Sequence, residues 1–121
     1  MSESETYDLY CRAREQMRQG MNAQATVALE KAKRREPGKA SIREALGIAY
    51  YRIRRFAEAE SEFRAIIDLQ PVDDYAHFAL GRCLVKQGRP EEAVGYLRLA
   101  TLFKPQSREY RAAFEAVQAN G

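Results

Sequence analysis

Residues of the same type recur along this chain every 34 positions, and this period limits what the chain can fold into. The recurring positions are a proline, two small residues and two apolar residues. They form the series Pro37, Pro71 and Pro105; Ala25, Ala59 and Ala93; Ala13, Gly47 and Gly81; Leu29, Phe63 and Leu97; and Ala32, Ile66 and Ala100. Five series in one register are not a chance pattern, so the chain is an array of three similar units.

Each unit carries the sequence signals of two helices. In the third unit, Asp73 and Asp74 are N-cap residues for a first helix. Gly88 then interrupts the helical pattern, and Pro90 stands where the first turn of a second helix accepts proline. The second unit repeats this pattern with Arg54 in place of the turn glycine.

A further helix is predicted after the last unit. The segment 107–119 has Tyr110, Phe114 and Val117 at helical spacing. We expect this helix to cover the apolar end of the third unit and to present a polar face to water, as the end of a repeat stack requires.

The composition excludes several classes of protein. A hydrophobic share of 45% is ordinary for a globular chain, and no apolar run approaches the ~20 residues of a membrane span. The polar, acidic N-terminus lacks the apolar segment of a signal peptide, so we expect a cytoplasmic protein without membrane contact. Cys11 and Cys83 lack the spacing and the nearby histidines of a zinc site.

The pattern resembles the tetratricopeptide repeat family, whose repeats have Leu-Gly, then Tyr, Ala, an aromatic residue or Leu, Ala and Pro at fixed places. The matching residues are Leu46, Gly47, Tyr50, Ala59, Phe63 and Pro71, and then Leu80, Gly81, Leu84, Ala93, Leu97, Ala100 and Pro105. The resemblance implies an all-α fold, a right-handed α-α superhelix of about seven antiparallel helices. It also implies a disordered N-terminus at residues 1–5, repeats at 6–39, 40–73 and 74–107, and a C-terminal capping helix at 108–121.

The chain departs from the family pattern in two places. Arg43 and His77 stand at the fourth position of their repeats, where the family has a bulky residue. Arg12 and Gln16 replace the usual Leu and Tyr of the first helix. A terminal repeat has one face without a neighbour, which makes polar residues tolerable there.

The sequence contains no catalytic constellation. It has one histidine, no Gly-rich phosphate loop and no nucleophile elbow. His77 is the one candidate general base, but its place in the repeat predicts a packing role. The acidic pairs Glu58/Glu62 and Glu91/Glu92 are interpreted as solvated helix surface and first-turn charges. We therefore expect a non-catalytic protein without a cofactor.

The resemblance implies a binding surface on the first helix of each repeat. At ~100° per residue, one arc of that helix packs, and a second arc lines the family's concave, peptide-binding groove. The second arc holds Tyr7, Tyr10, Arg14, Met17 and Arg18 in repeat one; Ser41, Glu44, Ile48, Tyr51 and Arg52 in repeat two; and Tyr75, Phe78, Arg82, Val85 and Lys86 in repeat three. The predicted binding residues are those of this arc other than Met17, Ser41, Glu44 and Val85. Aromatic and arginine side chains are the usual anchors of interfaces. We expect the partner to be a peptide or helical segment of another protein that carries acidic residues.

One subclass of the family is disfavoured. Repeats that hold the acidic tails of heat-shock chaperones use a two-carboxylate clamp of Lys, Asn and Arg residues. The corresponding places in this chain hold Tyr10, Arg14, Ala45, Tyr75 and Ala79, and none of them matches.

Other functions remain open. The groove or an end of the stack could pair with a second copy, which would make the protein a homo-oligomeric scaffold. Three such repeats also form bacterial chaperones for secreted proteins. The basic clusters at 31–35 and 52–55 could bind nucleic acid, but both stand at helix C-termini, where the helix dipole favours cations. Nucleic acid is therefore the less favoured partner.

Overall fold

A computed structural model describes residues 3–120, and all the regular structure within that range is helical. The helices are α1 (Glu3–Arg18), α2 (Asn22–Arg35), α3 (Ala40–Arg52), α4 (Phe56–Leu69), α5 (Asp74–Lys86), α6 (Pro90–Phe103) and α7 (Arg108–Asn120). Helices adjacent in sequence pack against each other throughout, and the antiparallel hairpins α1–α2, α3–α4 and α5–α6 stack into a right-handed superhelix closed by α7. This is the all-α solenoid that the period predicts.

The structure differs from the expectation at the N-terminus. The expected disorder covered residues 1–5, but α1 begins at Glu3; residues 1–2 lie outside the described range. An electrostatic contact accounts for the longer helix, because the Glu5 carboxylate lies 3.6 Å from the Arg35 guanidinium on α2. An acidic residue in the first turn also interacts favourably with the helix dipole.

The turn inside each hairpin has one geometry in all three repeats. Gly20, Arg54 and Gly88 adopt the left-handed backbone conformation, with φ of 80°, 64° and 74°. Glycine adopts this conformation without steric cost, whereas an arginine there is strained. The hydrogen bond that follows the turn is also retained, since the Arg55 amide donates to the Tyr50 carbonyl at 2.9 Å just as Arg89 donates to Leu84 at 2.9 Å.

The small residues permit close crossing of the two helices in a hairpin. A Cβ atom at Gly47 would lie 2.7 Å from the Phe63 ring, and one at Gly81 would lie 2.6 Å from Leu97 Cγ. Both large side chains are fully buried. In the core of the second and third hairpins, a glycine on the first helix thus faces a large side chain on the second.

The polar residues at the fourth position have structural roles. His77 is buried, its Nδ1 lies 2.8 Å from the Asp73 carbonyl oxygen, and its ring meets Phe103 edge-on at 5.2 Å. Arg43 donates from Nε to the Pro37 carbonyl at 2.7 Å. The packing role predicted for His77 is confirmed.

Glu62 does not fit its predicted place on the solvated surface. It is only 4% exposed, and its carboxylate accepts hydrogen bonds from Lys33 Nζ at 2.8 Å and from Arg43 Nη1 at 3.0 Å. A buried carboxylate requires such partners, because its desolvation is otherwise costly. The interpretation of Glu62 as solvated is wrong.

A second carboxylate on α4 faces the opposite neighbour. Glu60 accepts from Gln87 Nε2 at 2.8 Å and from Arg89 Nη1 at 2.9 Å, both in the α5–α6 hairpin. Although burial acts to raise the pKa of Glu60, the bonds from Gln87, Arg64 and Arg89 hold it below its ordinary value. Through Glu60 and Glu62, α4 is joined electrostatically to both adjacent hairpins.

Helix α7 covers the end of the third repeat. Tyr110 and Val117 are buried, and Phe114 is half-buried. The Tyr110 hydroxyl donates to Asp74 Oδ2 at 2.7 Å. Within residues 3–120, none of the helices combines the length and apolar character needed to cross a membrane.

Candidate functional site

Three depressions follow one another along the concave side of the superhelix, which is lined by α1, α3, α5 and α7. The first depression has a volume of about 500 Å³, the second about 280 Å³ and the third about 390 Å³. Neighbouring depressions share residues: Ile48 and Arg52 line the first and second, and Tyr51 and Arg82 line the second and third. Together they form one continuous surface, called the groove below.

The structure distributes the predicted site residues along this groove. The first depression contains Tyr10, Arg14, Arg18, Ile48 and Arg52. The second contains Ile48, Tyr51, Arg52, Tyr75, Phe78 and Arg82, and the third contains Tyr51, Arg82 and Lys86. Tyr7 lies outside these three and lines a smaller recess, of about 190 Å³, beside Thr6 and Lys39.

Two of the predicted aromatic residues belong largely to the core. Phe78 is only 2% exposed and stacks on the Tyr110 ring of α7, with centroids 4.6 Å apart. Tyr75 is half-buried, with the rings of Phe63 and Phe78 each 6.1 Å away. These rings form the floor of the groove, so Phe78 is not the freely exposed contact that its repeat position predicts.

The basic residues of the groove contact neutral groups. Arg14 donates to the Tyr10 hydroxyl at 2.7 Å, and Arg52 donates to Asn22 Oδ1 at 3.3 Å. The Arg82 guanidinium lies over the Tyr51 ring at 5.0 Å. Among residues 3–120, no carboxylate lies within ion-pair distance of any of these three arginines. Arg18 differs, since it pairs with Glu15 on its own helix.

Among the described residues, Glu44 is the one acidic residue that lines the three depressions. It lies in the first half of α3; burial and the charge of Asp73 raise its pKa, and the charge of Arg14 acts in the opposite direction. Asp73 and Asp74 stand at the start of α5 and do not line the depressions. The basic residues at positions 52 and 86 end α3 and α5.

Several groove residues are absent from the predicted set. The third depression is also lined by Pro90 and Leu97, and by Ala113, Ala116 and Val117 of α7; Val85, which lies on the predicted arc, lines it as well. The repeat contains the missing signal: continued by one further period into α7, it places Ala113 and Ala116 where Ala79 and Arg82 stand in α5. Helix α7 is thus both a cap and a wall of the groove.

The described residues offer no metal site, and the buried cysteine is not an activated nucleophile. Among residues 3–120, no three His, Cys, Asp or Glu side chains are grouped to hold a metal ion. Cys83 is fully buried, and burial raises the pKa of its thiol to about 12. Because the thiolate is the nucleophilic form, Cys83 is inert at neutral pH.

Stacked helical hairpins with a concave groove define the class of this protein, an α-solenoid. A family model described as "Tetratricopeptide repeat" matches residues 10–74 and, in a second copy, residues 45–112. These matches span most of the chain, which belongs to the tetratricopeptide repeat (TPR) family. Among curated proteins, no sequence relative is found.

Several solved structures share the fold at low sequence identity. One is the first TPR of Spaghetti (RPAP3) bound to the HSP90 peptide SRMEEVD, 18% identical with a TM-score of 0.93, covering 99% of this chain and 95% of that one. Another is the Yersinia enterocolitica type III secretion chaperone SycD in complex with a peptide of the translocator YopD, 17% identical with a TM-score of 0.89, covering 98% and 96%. A third is a mutant of the Thermobaculum terrenum O-GlcNAc transferase, 19% identical with a TM-score of 0.84. The match covers 97% of this chain but only 23% of the transferase.

Proposed function

We propose that this protein is a non-catalytic interaction module whose groove binds a peptide or helical segment of another protein that carries acidic residues. The observation that carries the proposal is a set of groove cations that, among the described residues, have no carboxylate within ion-pair distance: Arg14, Arg52, Arg82 and Lys86. Each lies in a depression that also contains apolar or aromatic side chains. Such a surface complements an acidic, partly apolar segment. Hydrogen bonds between arginine or lysine and a carboxylate are stronger than those between neutral groups.

The fold supports this proposal, because two of the similar structures hold peptides: one of HSP90 and one of the translocator YopD. The identity of those peptides does not transfer at this level of similarity. The places of the chaperone-tail clamp hold Tyr10, Arg14, Ala45, Tyr75 and Ala79. We therefore propose a different acidic segment as the ligand, bound in the cytoplasm.

Two alternative partners have less support. Of the cations at 31–35, Lys33 pairs with Glu62 at 2.8 Å and Arg35 lies 3.6 Å from Glu5, which reduces the charge available to a phosphate backbone. A second copy of the chain remains the alternative occupant of the groove. It would appear as a concentration-dependent mass in light scattering.

The test compares two double charge reversals. Arg14→Glu with Arg82→Glu changes the groove, and Lys31→Glu with Arg34→Glu makes the same change in charge on exposed residues of α2 outside it. The probes are short, fluorescein-labelled acidic peptides, selected on the wild-type protein from a random library and measured by fluorescence polarisation. Two lost charge-assisted hydrogen bonds, at ~1.5–3 kcal/mol each, correspond to a loss of about 100-fold or more.

The control pair should retain wild-type affinity, and both variants should keep the wild-type helical circular dichroism. Peptide affinity that survives the groove reversal would contradict the proposal, as would an equal loss in both variants. A library that yields no acidic peptides would also contradict it. Nucleic-acid binding would instead show a steep salt dependence that the α2 reversal reduces.

A further inference from the structure

We propose that the third depression is an apolar anchor site that accepts one bulky apolar side chain of the bound segment, next to an acidic residue. This inference rests on the proposed function and specifies the ligand further. It assigns to α7 a part in ligand binding besides that of capping the repeats.

The repeat register shows why this depression is open. At the preceding junction, between the α3–α4 hairpin and α5, four large side chains form a continuous stack. Arg54 lies over the Phe56 ring at 5.3 Å, Phe56 meets the Tyr51 ring edge-on at 5.1 Å, and Arg82 covers Tyr51 at 5.0 Å. We call these four residues the ladder. It occupies the space between the hairpin turn and the next helix.

At the following junction each ladder residue is replaced by a small one. One period after Arg54, Phe56, Tyr51 and Arg82, the chain has Gly88, Pro90, Val85 and Ala116. All of these but Ala116 belong to the α5–α6 hairpin, and all four line the third depression, which encloses about 390 Å³. That volume falls within the range of small-ligand pockets, ~300–1,000 Å³. The open site therefore arises from the replacement of large side chains at positions that the superhelix keeps equivalent.

The lining determines what the site accepts. Its apolar walls are Val85, Pro90 and Leu97 on the hairpin and Ala113 and Val117 on α7, and Tyr51, Arg82 and Lys86 complete the lining. Val85 is 43% exposed, so a ligand side chain would remove apolar surface from water. The lining suits an aliphatic or aromatic side chain such as Leu, Met or Phe.

Charge selects the occupant among apolar segments. Arg82 and Lys86 stand at the same depression, and neither has a carboxylate partner among the described residues. A ligand with Asp or Glu beside its apolar residue would neutralise them, whereas a basic segment would be repelled. The occupant is therefore an acidic segment with an apolar anchor.

The first depression occupies the equivalent place two periods earlier and has a different character. Met17, Asn22 and Ile48 stand there at the positions of Val85, Pro90 and Ala116. Arg14, Arg18, Arg52 and Glu44 also line it, and Arg18 pairs with Glu15 on its own helix. The third depression is therefore the more apolar of the two, and the apolar anchor of the segment binds there, against α7.

The experiment refills the site with the residues of the preceding junction. Val85→Tyr combined with Pro90→Phe recreates the Tyr51–Phe56 pair and leaves the net charge unchanged. Leu102→Tyr, on an exposed part of α6 outside the three depressions, is the matched control. The probes are short acidic peptides with one leucine, selected on the wild-type protein, and the same peptides with that leucine changed to alanine.

We expect the leucine-to-alanine change to weaken binding to the wild-type protein and to Leu102→Tyr by about tenfold or more. It should have little effect on the refilled variant, which should itself bind the leucine peptide more weakly. An equal effect of the change in all three proteins would overturn the anchor site. So would a concentration-dependent dimer of the wild-type protein that the refilled variant abolishes, because a second copy would then occupy the site.

A measurement without variants covers the case in which the refilled protein does not fold. N-acetyl-leucinamide is titrated into ¹⁵N-labelled wild-type protein, and the backbone amide NMR signals are followed. The chemical shifts of Ala113, Ala116 and Val117 should change at lower ligand concentrations than those of other residues. Shifts elsewhere alone would overturn the anchor site. If the Arg14/Arg82 reversal does not affect peptide binding while these shifts occur, the acidic-peptide function fails and the anchor site stands.

Discussion

The close crossing of α5 and α6 predicts the outcome of a single methyl addition. Gly81→Ala places a Cβ atom where Leu97 Cγ and Cδ2 would both be 2.6 Å away. Leu97 is 1% exposed, so its side chain has little room to withdraw. Overpacking of this kind costs ~1–3 kcal/mol, and the contact here places the cost in the upper part of that range.

The higher helix propensity of alanine partly offsets this destabilisation. Alanine favours a helix interior over glycine by ~0.8–1 kcal/mol. The expected net loss for Gly81→Ala is therefore about 1–2 kcal/mol in the free energy of unfolding. At about 3–6 °C per kcal/mol for a domain of this size, the melting temperature should fall by roughly 3–12 °C.

Gly95→Ala provides the matched control. Gly95 lies inside α6, is exposed, and has no atom within 4 Å of an added Cβ. This variant should be more stable than the wild-type protein by ~0.8–1 kcal/mol, since it gains helix propensity without a clash. Urea unfolding followed by circular dichroism measures both variants. If Gly81→Ala proves as stable as Gly95→Ala, the close crossing does not determine the need for glycine.

Three further predictions concern a turn, a thiol and a phenol. Arg54→Gly should raise the free energy of unfolding, measured in urea, by ~1 kcal/mol because it relieves the left-handed φ of 64°. Gly88→Ala should lower that free energy, and the reverse order would contradict the strain. Native protein should react with one equivalent of Ellman's reagent, at exposed Cys11, and two fast equivalents would contradict the burial of Cys83. Burial raises the pKa of Tyr50 from 10.0 to about 12, and its hydroxyl donates to Glu30. Its stabilising effect should be complete below pH 10 and lost as the pH rises through 12, so the wild-type advantage over Tyr50→Phe in unfolding free energy should shrink across that window; a constant advantage would contradict it.

The period and the helix signals in each unit predicted an array of helical hairpins, and the family resemblance implied the right-handed superhelix. The recurring glycines, prolines and apolar residues determine where helices end and how neighbouring helices pack. Because these contacts recur in each unit, the repeat in the sequence predicts them. The same reasoning placed α7 at the end of the third repeat through Tyr110, Phe114 and Val117. It did not place the start of α1 at Glu3, because that start depends on a contact between Glu5 and Arg35 across two helices.

The groove was predicted less completely. Helical angles identify the face of a helix but not what covers it. Phe78 is on the expected face, yet Tyr110 stacks on it from α7. Glu62 shows the same difficulty, since its partners Lys33 and Arg43 are distant in sequence and only the folded hairpins bring them together. The third depression was missed because its openness comes from small residues, which attract no notice when a sequence is searched for anchors.

The two carboxylates of α4 have a mechanical consequence. Glu62 joins the second hairpin to the first through Lys33, and Glu60 joins it to the third through Gln87 and Arg89. These polar links add to the apolar packing between neighbouring hairpins, and they contribute to the resistance of the array to bending. Acid that protonates Glu60, or salt that screens its pairs, would make the superhelix more compliant and alter the curvature presented to a ligand. Ligand affinity should therefore vary with ionic strength even for a ligand that carries no charge.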